Sequence, residues 1–220
     1  MIAMKPLLAS FGLFSALAPL SAGVVLFNTS ITPDDQIVAG ATSSAAISFT
    51  TGSSPVVLDT VSLMFGTPVG TSSPFRFGLF SNSGTKPGSP IYSLGGPSNP
   101  DGGSSGNLFT YTPNVVQTLS PSTTYWLVMS SNGSGGQYTV LSAVSAPFTT
   151  NGSGWSGGSE TWYSSNFGST WTSSSTETPI LSINATAVPE PEETVALGAL
   201  ALLAAAGLRR RIASRPTRTL

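Results

Sequence analysis

The chain has no cysteine and no histidine, and only 8 Lys and Arg stand against 9 Asp and Glu in 220 residues. Without imidazole, no side chain has an ordinary pKa near neutrality, and without thiols there is no thiolate nucleophile, disulfide or Cys/His metal cluster. Ser-His-Asp and Cys-His catalytic sites are therefore excluded. Nucleic acid is excluded as a partner on charge, because phosphate binding needs a stripe of Lys and Arg. Between the two ends of the chain the basic residues are only Arg76 and Lys86. What the chain has in abundance is hydroxyl: 37 serines and 26 threonines.

The apolar residues concentrate at both ends. Lys5 precedes an apolar run over residues 7–18, followed by Pro19, Leu20, Ser21, Ala22 and Gly23. Charge, apolar run and small residues in that order form a secretory signal peptide, here residues 1–23, with cleavage expected near Ala22 or Gly23. Export through the translocon follows. Near the other end, residues 195–208 are uncharged and rich in Ala and Leu, and they stop at Arg209, Arg210 and Arg211. A helix of that length covers about 21 Å, short of the ~30 Å hydrocarbon core, so it spans only with snorkelling arginines or local thinning. The arginines stay cytoplasmic by the positive-inside tendency, which puts the preceding residues on the exported side.

Just upstream stand Val188, Pro189, Glu190 and Pro191, followed by Glu192 and Glu193. The prolines hold an extended stretch, and the two glutamates fall where a helix N-terminus favours negative charge. Pro-Glu-Pro, apolar helix and arginine cluster, in that order over residues 188–211, closely resemble the PEP-CTERM protein-sorting signal. Nine residues, 212–220, follow the arginines, where members of that class end sooner. The resemblance implies a substrate of an exosortase, a membrane-embedded, cysteine-transpeptidase-like enzyme of Gram-negative bacteria. It also implies transient anchoring in the inner membrane before delivery to the cell surface or extracellular matrix.

Residues 24–187 remain as the body, a comfortable size for one domain with its own core. Its charged residues are Asp34, Asp35, Asp59, Asp101, Glu160 and Glu177 against Arg76 and Lys86. Short β-branched and aromatic runs alternate with Gly, Pro, Asn and Ser turns, and no 3.6-residue periodicity runs through it. That pattern predicts an all-β fold, an antiparallel β-sandwich or jelly roll, flanked by a signal-peptide helix and a short transmembrane helix. Strands are expected over 24–27, 45–51, 56–65, 75–80, 91–94, 108–111, 125–129, 138–144 and 180–186. Phe75, Phe77 and Leu79 share one face, with Arg76 on the other. In 56–65 the apolar phase slips, since Val56 and Leu58 have one parity and Val61, Leu63 and Phe65 the other. A bulge or break near Asp59 and Thr60 reconciles them. Residues 82–88 read as a turn and 97–106 as a longer Gly/Ser loop.

Phe77-Gly78-Leu79-Phe80 with Lys86-Pro87-Gly88, then Leu119-Ser120-Pro121 leading into Thr124-Tyr125-Trp126-Leu127-Val128, and the closing Pro179-Ile180-Leu181-Ser182-Ile183, resemble the choice-of-anchor domains, particularly the R type. Those are secreted β-rich domains followed by interchangeable C-terminal sorting signals. The resemblance implies no catalytic residues.

Trp155, Trp162, Tyr163 and Trp171 fall in a Gly/Ser-rich region. Exposed aromatic faces stack on sugar rings, which suits a protein delivered into an extracellular polysaccharide; cross-strand pairing and core filling account for the same residues without a ligand. Asp101 before Gly102 and Gly103, and the pair Asp34 and Asp35, offer oxygens to Ca²⁺, but neither has the spacing of a known loop and solvated turn carboxylates explain them. A glycosidase needs only two carboxylates about 5 to 10 Å apart. The expectation is thus a non-enzymatic surface or matrix protein without catalytic residues, metal or cofactor. The alternative is a carbohydrate-binding module using the tryptophans, with a glycan hydrolase third.

Overall fold

Whether alternation or continuous apolar runs dominate a strand decides how many of its faces are covered, and both patterns occur here. The computed structural model describes residues 23–188 apart from 29–32, 34, 41, 71–72, 132–135, 145–147, 152–153 and 176. The export segment, Pro189, Glu190, Pro191, the apolar run, Arg209, Arg210 and Arg211 lie outside the described residues, as does Asp34. Ser21–Val188 forms one compact unit.

The described residues contain no helix and seventeen strands. The first nine are β1 (Gly23–Asn28), β2 (Asp35–Gly40), β3 (Ser44–Thr50), β4 (Val56–Phe65), β5 (Val69–Gly70), β6 (Phe75–Ser83), β7 (Lys86–Gly95), β8 (Asn107–Pro113) and β9 (Thr118–Leu119). The rest are β10 (Thr124–Ser131), β11 (Gly136–Val144), β12 (Phe148–Thr150), β13 (Ser156–Gly157), β14 (Thr161–Ser164), β15 (Thr172–Ser175), β16 (Glu177–Pro179) and β17 (Leu181–Ala187). Every pairing is antiparallel.

One set of ladders runs β8–β4–β17–β1–β12, with β9 also on β4, and with β11 joining at the end of β4 and carrying β2, β5 and β16. The other runs β7–β6–β10–β3–β14–β15, with β13 beside β14 on β3. Strand β8 belongs to both: Tyr111 lies opposite Val61 of β4, and Pro113 opposite Leu94 of β7. The sheet thereby curls on itself, and apolar residues of both sets meet in one core. Phe77, Leu79, Leu127 and Ile183 are all buried there. Phe65 is its hub, edge-on to Phe75 at 5.0 Å and to Phe109 at 5.6 Å, arrangements the ring quadrupole favours.

The phase slip in β4 is a bulge at Asp59. Asn184 of β17 faces Thr60 while Ala185 faces Leu58, so Asp59 is passed over and Val56, Leu58, Val61, Leu63 and Phe65 are all buried. The Thr186 hydroxyl donates to the Asp59 carboxylate at 2.7 Å, giving the extra residue a partner. One expectation is corrected. The turn over 82–88 shrinks to Gly84 and Thr85, with β6 running to Ser83 and β7 resuming at Lys86, because Gly84 at φ 70 closes the hairpin in two residues. Pro87 and Pro90 fit within β7 because only its last residues have a neighbour on the side away from β6. The Gly/Ser-rich stretch from residue 148 on, where no strand is expected before 180, holds β12 to β16, positioned by their neighbours' ladders rather than by apolar alternation of their own.

At its end the body closes tightly. Gly23 of β1 lies opposite Ala185 of β17, and the Val188 N–H donates to the Pro55 carbonyl at 2.9 Å.

Candidate functional site: an aromatic recess on the outer sheet face

In β10 the run Tyr125-Trp126-Leu127-Val128-Met129 is apolar at both parities. Tyr125, Leu127 and Met129 enter the core, so Trp126 and Val128 must point out of the other face. There they join Ala46 in a second apolar cluster, against which Phe80, Trp162 and Trp171 pack. Register explains the grouping. Trp126 lies between Phe80 of β6 and Ser48 of β3, while Val128 lies between Gly78 and Ala46, and Trp162 of β14 also faces Ala46. The small Ala46 lies opposite Trp162, and the missing Cβ of Gly78 leaves room for the Phe80 ring, which would lie 3.2 Å from it.

Two contacts fix the Trp126 ring. Its Nε1–H donates to the Asn82 side-chain oxygen at 2.9 Å, and the Trp162 ring meets it edge-on at 5.9 Å. Beside them opens a recess of about 270 Å³, lined by Ser48, Asn82, Gly84, Thr85, Thr124, Trp126, Gly158, Ser159, Glu160 and Trp162. Backbone approach shapes its rim: the Gly158 N–H donates to the Ser48 carbonyl at 2.8 Å, and a Cβ on Gly158 would lie 2.3 Å from Ser48 Oγ. Behind the recess, buried Thr51 donates to the Ser120 carbonyl at 2.7 Å and accepts from the Thr123 N–H at 3.0 Å, which anchors the approach to Thr124. A second recess of about 290 Å³, with Arg76, Phe80, Val128 and Ser130 in its lining, lies farther along the same face.

Trp171 is delivered by the loop after β14. The Ser164 hydroxyl accepts from the Gly168 N–H at 2.8 Å, and the Asn166 side-chain oxygen accepts from the Thr170 N–H at 2.8 Å. Phe167, at φ 57, sits exposed at its tip.

The four aromatic residues singled out in the sequence divide between two faces. Trp162 and Trp171 share the outer cluster. Trp155 does not: it is only 8% exposed and stacks on Phe49 at 6.0 Å and 10°, so a sugar has no access to it. Tyr163 follows Trp162 on β14 and therefore turns the other way, packing on the core. Trp126, the indole that completes the recess, was read in the sequence only as part of a strand. The usable signal was the apolar character of both parities in 125–129, which marks a strand covered on both faces.

The acidic side chains among the described residues lie elsewhere, apart from Glu160. Asp101 accepts from the Gly103 N–H at 3.0 Å in a local Asx turn. Asp35 and Glu177 hydrogen-bond each other, and the Tyr163 hydroxyl donates to Glu177 at 3.5 Å. Burial first, and the Asp35 charge second, push the Glu177 carboxyl above its ordinary range. Among the described residues no three acidic side chains converge as a metal site would require.

No protein-family model matches the chain, and no curated protein matches it.

Proposed function

We propose that the chain is an exported, non-enzymatic cell-surface or matrix protein, a jelly-roll-type β-sandwich delivered by the PEP-CTERM-like signal over residues 188–220. The order of Val188, Pro189, Glu190, Pro191, the 14 apolar residues 195–208 and Arg209, Arg210 and Arg211 carries the reading. The ladder of the body ends at Val188, whose N–H donates to the Pro55 carbonyl, and the proline-held Pro-Glu-Pro segment comes next in the sequence. Such a segment has no internal backbone hydrogen bonds for a protease to break. The translocon exports the chain, the short helix holds it briefly in the inner membrane, and an exosortase cuts it free. The sandwich reading draws on two ladder sets sharing one core. The non-enzymatic reading draws on the carboxylates: Asp35 and Glu177 touch, closer than the ~5 Å a glycosidase pair keeps, and Glu160 is the only carboxylate lining the recess.

Mass spectrometry of the protein recovered from the cell surface or matrix of its host tests this. Mature material should begin close to Val24 and lack residues 197–208. Replacing Pro189 and Pro191 by Ala should leave insertion unchanged and trap the protein in the inner membrane. Mature surface protein that retains 197–208 would refute sorting and make the segment an ordinary anchor.

A further inference from the structure

The recess between Trp126 and Trp162 has a mixed chemistry that hydrophobic packing does not require. Its accessible apolar part is the half-buried Trp162 indole, whose face matches the C–H face of a sugar ring, backed by Trp126, which is only 3% exposed. Around the indoles stand the Asn82 amide, whose oxygen accepts from Trp126 and one of whose two N–H groups donates to the Gly84 carbonyl, the Thr124 hydroxyl, 2.9 Å from that of Thr50, and the hydroxyls of Ser48, Thr85 and Ser159. These are neutral groups that both donate and accept hydrogen bonds, as sugar hydroxyls do. No Lys or Arg lines the recess, and its single charge, Glu160, repels anions. We propose that this recess binds a neutral glycan, with Trp162 as the stacking platform, Trp126 as its backing, and Asn82, Thr124 and Glu160 as hydrogen-bonding groups.

Three features favour a binding role over filler. Apart from residues 158–160, which connect β13 to β14, the site is built on paired strands and a two-residue turn, so little freedom of those side chains remains to be lost on binding. The Trp126 indole N–H is already satisfied by Asn82, so no buried donor competes with the ligand. And Trp162 remains half-buried although Ala46, its cross-strand partner, is small. At about 270 Å³ the recess is at the small end for ligand sites, which suits a chain lying across the surface rather than an enclosed molecule. This goes beyond the sorting reading and does not depend on it; either can fail while the other stands.

The test uses the full-length chain in a sugar-free detergent. Array screening covers neutral oligosaccharides including cellohexaose and xylohexaose, with polygalacturonate as anionic counter-probe, and hits are titrated by calorimetry and tryptophan fluorescence. At least one neutral oligosaccharide should bind saturably. Binding should weaken tenfold or more in Trp162→Ala and in Thr85→Trp, and hold in Leu108→Ser, at an exposed position of β8. Thr85→Trp places its bulk at an exposed turn position, so it decides the matter even if Trp162→Ala folds poorly. Three results overturn the proposal: no neutral glycan binding to the folded wild type, binding that survives both variants, or binding of polygalacturonate alone, abolished by Arg76→Ala.

Discussion

Gly102 and Gly103 stand side by side in the loop between β7 and β8, and replacing each by alanine should damage the fold for different reasons. Gly102 lies against the end of β4: its N–H donates to the Gly66 carbonyl at 3.1 Å, and its own carbonyl accepts from the Asn107 amide at 3.1 Å. A Cβ there would sit 1.5 Å from the Phe65 carbonyl oxygen and 2.9 Å from the Asn107 nitrogen. Both neighbours are backbone in a ladder, so neither yields by a rotamer change. Overpacking of side chains costs 1–3 kcal/mol, and a backbone clash should reach at least the top of that range, about 3 kcal/mol. For a domain of this size that lowers Tm by roughly 6–12 °C. At Gly103 a Cβ meets nothing within 4 Å, but φ is 64. The left-handed conformation alone then costs about 1–2 kcal/mol. Because Asn tolerates that conformation better than Ala, Gly103→Asn should recover part of the loss, whereas Gly102→Asn should be at least as damaging as Gly102→Ala. Urea unfolding of the wild type and four variants, followed by near-ultraviolet circular dichroism, separates the two mechanisms. If Gly102→Ala costs no more than Gly103→Ala, the close approach to Phe65 is wrong.

Two further outcomes follow from buried tyrosines. The Tyr138 hydroxyl donates to the Ser73 carbonyl at 2.6 Å within reach of Ser98 and Asn99, so Tyr138→Phe should cost about 1–2 kcal/mol in urea unfolding; no loss would mean those loops are not tied to β11. Burial, and next the nearby Tyr125, push Tyr92 up to about 12. The folded chain then holds that proton above pH 10 where the unfolded chain releases it, so stability should be intact below pH 10 and fall as pH rises from 10 to 12, by about 3 kcal/mol from this group. Tyr92→Phe should flatten that decline, measured as Tm against pH; an unchanged slope assigns it elsewhere.

Much of the sheet was legible because its strands carry their own signal. Alternation in 75–80 and the double phase in 56–65 each encode a face, and the latter even located the bulge at Asp59, since a period of two makes every slip visible. Strand β2 was missed because Asp35 and Gln36 open it and only Ile37 and Ala39 mark a buried parity. Strands β13 to β15 were missed because Ser, Thr and Gly carry no periodic signal: β13 and β14 are positioned by pairing with β3, over a hundred residues earlier in the chain, and β15 by pairing with β14. The candidate site was half legible for the same reason. Tryptophans in a polar stretch stand out, but which of them face outward depends on a register fixed by a distant strand. That is why Trp155 and Tyr163 went to the core side while Trp126, hidden in an apolar run, completed the recess.

The antiparallel pairing of β1 with β17 has a mechanical consequence. Gly23 and Ala185 are partners, so the chain enters and leaves the body at neighbouring points of one strand pair. A pull applied through both flanks would load that pair bond by bond, like a zipper, instead of stretching all its hydrogen bonds at once. Such peeling needs little force. Held from one flank only, the same body carries no tension across this seam, and its weakest mechanical direction is never tested.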